Sequence, residues 1–320
     1  MVSSCPGCGG QDWHTEFEVP EMFAGEVFAI ERCEGCGLLR TAGDPTPEEI
    51  ARYYDTTAAG ADAGSRFRGV IEPLMRALRR WRLREVFAIR KEPGRILDVG
   101  CGRGVMLKAL AEHGWDAHGI ELAPEIAATA RRSLGDHIYT TPIEDADLEP
   151  GSFDVISFWH VLEHLPNPLS ALERARELLA PGGVILISVP NRDSWQARLF
   201  GPHWLHLDPP RHRWHFTPVT LEKVAQRAGL SWGTVSYFSF EYGPFGMLQS
   251  ALSRAGLGHT LFTRVLRAGG RRRPWQNPYA WAHLALALPI SAAAIASFPL
   301  EIFAAAAGRG GILTVVLRTR

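Results

Sequence analysis

An α/β fold, a parallel sheet wrapped by helices, is predicted by three observations. Apolar strand-like runs alternate with helix-period segments from residue 95 onward, a glycine-rich loop falls at the first strand-to-helix junction, and a carboxylate closes the second strand. In such sheets ligands bind at the carboxyl ends of the strands. The 320 residues are about twice an ordinary domain, so smaller additions to a catalytic domain are expected. An apolar share of 46% against 21% charged supplies a core, which excludes global disorder, a collagen-like fibre and a many-span membrane protein. Lys plus Arg and Asp plus Glu number 34 each, so the overall balance calls for no polyanionic partner and argues against nucleic acid.

The chain opens with Cys5-Pro-Gly-Cys8, followed by Cys33-Glu-Gly-Cys36. Two such knuckles supply four soft ligands for a tetrahedral zinc. Four Cys leave no open coordination position, so the metal expected is a structural one that folds residues 1–45. Two Cys-x-x-Cys pairs and a lone Cys101 suit a reducing compartment, and the N-terminus lacks the basic start and apolar run of a secretory signal, so cytoplasm is the expectation.

Thr46-Pro47-Glu48-Glu49 reads as a capping box starting a short helix through Tyr54. Residues 55–65 read as a linker, and Arg66 to Lys91 as a helix with nine basic residues, either a solvated face or an anion contact; 46–93 is a helical linker or cap. The main domain, 94–240 plus 309–320, then runs strand 95–99, helix 105–113, strand 116–120, helix 124–134, strand 137–139, strand 153–158, helix 168–179, strand 184–189, helix 218–228, strand 233–240 and strand 312–317. Residues 241–308 form an insertion before the last strand.

Leu97-Asp98-Val99-Gly100-Cys101-Gly102-Arg103-Gly104 occupies the first strand-to-helix turn, where glycines admit a ligand close to the backbone and the helix start offers free amides. The spacing is Gly-x-Gly-x-Gly, with Val105 where a dinucleotide loop would place its last glycine, and Asp98 would repel a pyrophosphate but welcome an ammonium. Glu121, 21 positions after Gly100, can accept both hydroxyls of a ribose.

With the acidic Ile143-Glu144-Asp145 stretch, Phe153-Asp154 and Leu179-Ala180-Pro181-Gly182-Gly183, these motifs resemble the class I S-adenosylmethionine-dependent methyltransferases over roughly residues 95–230. The resemblance implies a Rossmann-like seven-stranded sheet whose last strand is antiparallel, with S-adenosylmethionine as cofactor. It implies that Asp98, Gly100, Gly102 and Gly104 hold the methionine end, Glu121 the ribose, and Glu144 or Asp145 the adenine edge. Cys101 reads as a small filler of the loop.

Methyl transfer from a sulfonium is an in-line displacement, so alignment and water exclusion supply most of the rate, and a weakly acidic acceptor needs a base. His160-Val161-Leu162-Glu163-His164 lies just beyond the fourth strand of the domain, where acceptor and methyl must meet. Alone, His-x-x-Glu-His also matches an inverted-zincin protease helix, which a following position in a cofactor fold opposes. It is similar to the Glu-x-x-Glu-His of ubiquinone-pathway O-methyltransferases, which implies metal assistance; His160 replaces the first Glu. A second cluster, Trp204 to Pro218, rich in His, aromatic residues and Pro, reads as a lid with His212 and His215 as base or acceptor contacts, or as structural residues.

In the insertion, Trp281 to Leu300 contains no Asp, Glu, Lys or Arg, and Arg271-Arg272-Arg273, Trp275 and Tyr279 precede it, a pattern of a membrane boundary. Since residues 312–317 must return to the sheet and Pro289 and Pro299 divide the run, docking on a membrane surface is expected rather than a crossing; a buried helical pair or homodimer contact is the alternative. The whole reads as a methyltransferase with an N-terminal zinc ribbon, similar to sugar and polysaccharide-pathway enzymes, acting on a hydroxyl or carbon of a small-molecule, sugar or lipid-linked acceptor. The competing classes are an RNA methyltransferase, disfavoured because Trp159-His160-Val161 lacks an Asn-Pro-Pro-Tyr type motif, and a noncatalytic membrane-associated binding protein.

Overall fold

The computed structural model describes residues 4–21, 26–46, 49–50, 52–53, 82–240, 242–256 and 296–320. The linker 55–65, the first part of the basic helix, the basic and aromatic stretch 271–279 and the uncharged run as far as residue 295 lie outside the described residues.

The larger sheet is made of the apolar runs that the sequence marks out. Its strands are β4 (Arg95–Val99), β5 (Asp116–Ile120), β6 (Ile138–Tyr139), β7 (Phe153–Trp159), β8 (Leu179–Pro190), β10 (Leu230–Ser236) and β11 (Ile312–Thr319), ordered β10-β11-β8-β7-β4-β5-β6. The five from β6 to β8 in that order are parallel, while β11 runs antiparallel between β8 and β10. This is the seven-stranded, Rossmann-like sheet with an antiparallel last strand.

Its crossovers are helices α1 (Val105–Glu112), α2 (Pro124–Leu134), α3 (Pro168–Leu178) and α5 (Pro218–Arg227). Pro at the first turn of α2, α3 and α5 loses no intrahelical bond there, and Asn167 and Thr217 cap α3 and α5 by accepting from Ser170 and Thr220 amides. Leu97, Ile156, Phe158 and Ile187 bury one sheet face, and Ile96, Val155 and Leu186, with Leu107 and Leu110 of α1, the other. The helix described over 82–89 adds Val86 to the second core.

Two strand starts move by three residues or more from the sequence expectation, and β10 ends at Ser236 where the sequence suggested 240. β8 starts at Leu179, because the Pro181-Gly182-Gly183 segment stays in the strand with a register irregularity opposite Phe153. β10 starts at Leu230 and not at 233, since Leu230 pairs with Thr319 and is fully buried.

The smaller sheet is antiparallel: β1 (Trp13–Pro20), β2 (Val27–Cys33), β3 (Leu39–Thr41) and a fourth strand, β9 (Trp214–His215), from the distant lid segment. The N-terminal segment is therefore stitched into the main domain. Leu39 faces His215 and Arg40 faces Trp214 across the β3–β9 pair. Val19, Ile30 and Leu39 pack with Ala197 and Phe200 of α4 (Trp195–Phe200) and with Trp204 and Leu207. After β3, Thr46 and Glu49 exchange hydrogen bonds as a capping box (2.8 and 3.2 Å). Within 241–308, α6 (Gly243–Arg254) and a helix over 296–306 are described; no helix among the described residues is long and apolar enough to cross a membrane.

Candidate active site

The carboxyl ends of β4, β5 and β7 bring the predicted loop residues together. Gly100, Gly102 and Gly104 all have positive φ, so the loop turns back on itself at a cost that glycine avoids. A Cβ on Gly100 would run into Val161, whereas one on Gly102 would meet nothing within 4 Å: that face of the loop is open to a ligand. Gly104 is the N-cap of α1. The Glu121 carboxylate accepts from the Gly102 amide (3.1 Å) and the Ala123 amide (2.9 Å), which fixes it at the loop's edge with lone pairs to spare for a diol. Glu144 and Asp145 sit exposed in the turn after β6, the neighbouring strand end.

Asp98 is buried at the end of β4, where Ser157 donates to it (2.7 Å). Burial pushes its carboxyl up to about 7, against the pull of the Ser157 hydroxyl and Arg82, and Glu121 adds repulsion. Ser157 escaped sequence reasoning because a serine within an apolar strand carries no periodic signal.

Beyond β7 the chain makes a tight turn. His160 takes a positive φ of 54°, its amide donates to Ser188, and its ring lies 4.1 Å from that of Tyr242, which precedes α6. His160 Nδ1 is 3.6 Å from Glu163 Oε1. Glu163 is 1% exposed and neither of its oxygens has a hydrogen-bond partner. Glu163, His164 and His212 can each offer a ligand atom within 4.8 Å of the others. His164 Nδ1 meets the Arg211 carbonyl (2.9 Å) and His212 Nδ1 meets the His206 carbonyl (2.8 Å). A carbonyl only accepts, so in both rings Nδ1 carries a proton.

Burial acts to raise the Glu163 carboxyl, but the imidazoles of His160, His164 and His212 outweigh it and hold it down at about 2. Burial and His212 lower His164 to about 4. At neutral pH Glu163 is thus an ionised carboxylate beside a His164 that burial keeps neutral. Glu163 meets His160 at 3.6 Å and its oxygens accept no closer hydrogen bond, so the group fits a divalent cation or a donor from a bound acceptor.

His215 is placed differently. Thr41 donates to the His212 carbonyl (2.6 Å), so its hydroxyl accepts from His215 Nε2 (3.1 Å), and this ring faces the ribbon. His206, at 6% exposure, is a further lid residue that orients His212; in the sequence it is one of several lid histidines that nothing distinguishes.

The four N-terminal thiols converge. Sγ of Cys5 and Cys36 are 3.4 Å apart, Sγ of Cys8 and Cys33 3.5 Å, and all four lie within 4.8 Å. A tetrahedron of about 2.3 Å zinc–sulfur bonds sets sulfurs about 3.8 Å apart, so the cluster fits zinc. Arg227 of α5 donates to the Cys5 and Pro6 carbonyls (2.7 and 2.8 Å), and Lys223 to that of Cys36 (3.3 Å), tying the knuckles to the main domain. A third group, Asp116, His118 and His137, lies at the opposite end of β5, but the Arg95 Nε reaches Asp116 (3.1 Å) and His118 (3.2 Å) and already supplies its cation.

A family model described as a methyltransferase domain matches residues 70–232, half of the chain. The chain belongs to that family, and its class is the S-adenosylmethionine-dependent methyltransferases. It is similar to the ubiquinone biosynthesis O-methyltransferase of Xanthomonas campestris pv. campestris, 37% identical over 161 residues, 47% of this chain and 67% of that one. With the enzyme of that name from Methylococcus capsulatus it shares 33% over 146 residues, 42% of this chain and 62%, less than two thirds, of that one. A solved S-adenosylmethionine-dependent methyltransferase from Archaeoglobus fulgidus is 22% identical, covers 55% of this chain and 76% of its own, and superposes with a TM-score of 0.44.

The raised Asp98 predicts a pH-dependent affinity for a cofactor whose ammonium sits beside it. An ammonium beside it favours the ionised form, so below about pH 7 binding must first remove a proton. Calorimetry with S-adenosylhomocysteine should show affinity falling by up to about tenfold per unit below pH 7 and levelling above it. The Asp98→Asn variant should bind more weakly with that slope gone; a wild-type affinity independent of pH from 5.5 to 8.5 would contradict the assignment.

Proposed function

We propose that the chain transfers the methyl group of S-adenosylmethionine to a hydroxyl of a small-molecule, sugar or lipid-linked acceptor. The observation that carries this reading is the cluster of Glu163, His164 and His212 just past the end of β7, whose ligand atoms lie within 4.8 Å of one another and whose two rings are oriented by backbone carbonyls. The O-methyltransferase names of the relatives support oxygen over carbon as the methylated atom.

In the step, an acceptor oxygen attacks the methyl carbon in line with sulfur. The carbon–oxygen bond forms as the carbon–sulfur bond breaks, its electron pair goes to sulfur, and the hydroxyl proton goes to an imidazole Nε2. Glu163 stabilises the imidazolium that results, and the carbonyls of Arg211 and His206 keep both rings oriented. Asp98 and Glu121 anchor the two ends of the cofactor, and the lid with α6 keeps water out. A divalent cation held by Glu163, His164 and His212 would instead acidify a bound hydroxyl directly, those imidazoles then serving as ligands and not as the base.

Isotopically methyl-labelled cofactor with fractionated extract, followed by identification of the product, tests the reading. An O-methylated small molecule is expected, with turnover reduced by about 10²-fold or more in His164→Ala and His212→Ala while S-adenosylhomocysteine affinity holds. Label in RNA, no label in any fraction, or full turnover in both variants would overturn it.

We also propose that Cys5, Cys8, Cys33 and Cys36 bind one structural zinc, supported by the sulfur spacing. Elemental analysis should give one zinc per chain, lost in Cys33→Ser together with thermal stability. Unit stoichiometry retained in that variant would contradict the site.

A further inference from the structure

The helix over 296–306 is inside out. Its buried side carries Ser297, Glu301 and Ala304, at 3%, 0% and 0% exposure, while Leu300, Ile302 and Phe303 point outward at 56%, 55% and 66%. Hydrogen bonds enforce this orientation: the Glu301 carboxylate accepts from Gln196 Nε2 (2.6 Å) and the Gly311 amide (2.5 Å). A helix whose only acid is held inside and whose large apolar residues are held outside marks an interaction surface, not a packing accident.

The neighbouring α4 extends the face. Trp195 and Leu199, one helical turn apart, are 39% and 63% exposed, and the Trp195 ring lies 5.6 Å from that of Phe303. Along the edge, Arg198 and Arg309 share the one carboxylate of Asp193, which leaves a net positive charge. The sequence running into this helix has no Asp, Glu, Lys or Arg from Trp281 to Leu300, and Arg271, Arg272, Arg273, Trp275 and Tyr279 lie upstream of it.

We propose that this face, Trp195, Leu199, Leu300, Ile302 and Phe303, docks the enzyme on an anionic lipid surface. Large apolar side chains beside a net cationic edge, continuous in sequence with an uncharged run and a basic, aromatic flank, match the acyl boundary and headgroups of such a leaflet. The face also communicates with the site: Gln196 donates to the Gly243 carbonyl (2.7 Å) at the start of α6, and Tyr242, one residue earlier, lies against His160. A docked enzyme would meet an apolar acceptor at the lid side of the sheet. The surface stands whatever the acceptor proves to be, since lipid binding is read without methyl transfer.

Flotation of the full chain with phosphatidylcholine vesicles, with and without phosphatidylglycerol, tests this. The wild type should float with the anionic vesicles, less in high salt but not to zero, and partitioning should fall at least tenfold in Ile302→Glu/Phe303→Glu with S-adenosylhomocysteine affinity unchanged. Should that double variant lose cofactor binding through misfolding, Leu199→Glu on α4 gives the second reading, with the same fall expected. Wild type that does not float, charged variants that float equally, or a wild-type dimer that the charges convert to monomer would each overturn the proposal, the last in favour of a contact between two copies.

Discussion

The peptide of Arg213 is held from two sides. Its amide donates to the Glu163 carbonyl (2.8 Å) and its carbonyl accepts from the Thr41 amide (2.9 Å), so one residue of the lid joins the turn after β7 to the N-terminal sheet. Around it, Trp214 Nε1 donates to the Leu165 carbonyl (2.9 Å), and Trp214 in turn packs beside Trp13, whose ring the Arg40 guanidinium covers at 4.0 Å. The lid histidines therefore have fixed rings because three separate stretches of chain meet at their backbone. Removing the N-terminal sheet would leave β9 unpaired and take away the Thr41 hydroxyl that sets the His215 tautomer.

This arrangement gives the N-terminal segment a role that its size alone does not suggest. A segment of about 40 residues has little core of its own, and four thiolates around a metal would fold it. Its product is an edge strand, β3, and that edge is occupied by β9 instead of lying open. Folding energy that a metal at the cysteines would supply thus goes in part to orienting a lid segment that lies more than 170 residues from Thr41 in sequence.

Much of the main sheet was legible because periodicity and local turn chemistry dictate it. Helix 124–134 and the start of the strand at Ile312 follow from Pro at the first helical turn and from a continuous apolar run. The glycine loop and Glu121 were legible for the same reason, being adjacent through β4 and β5. Strands of two or three residues such as β9 and β3 were not, because they are too short for periodicity and are defined by their pairing, β3 with β2 and β9 with β3. The separation of His215 from His212 was equally hidden: both belong to one polar run, and only the Thr41 hydroxyl, distant in sequence, turns one toward the ribbon. The outward face of the 296–306 helix reverses the usual inference from composition, since its one acid is the buried residue.

At the carboxyl ends of the central strands two charges are set apart by function: a buried Asp98 that burial makes reluctant to ionise, and a Glu163 that its imidazole neighbours keep ionised. In the proposed reaction the first faces the cofactor and the second the acceptor, and the sulfur lies between them. A crystal structure with S-adenosylhomocysteine measures this directly. The account predicts the ribose hydroxyls on Glu121, the amino group toward Asp98 and the sulfur facing the Glu163, His164 and His212 cluster; a sulfur turned away from that cluster, or a ribose bound elsewhere, would contradict it.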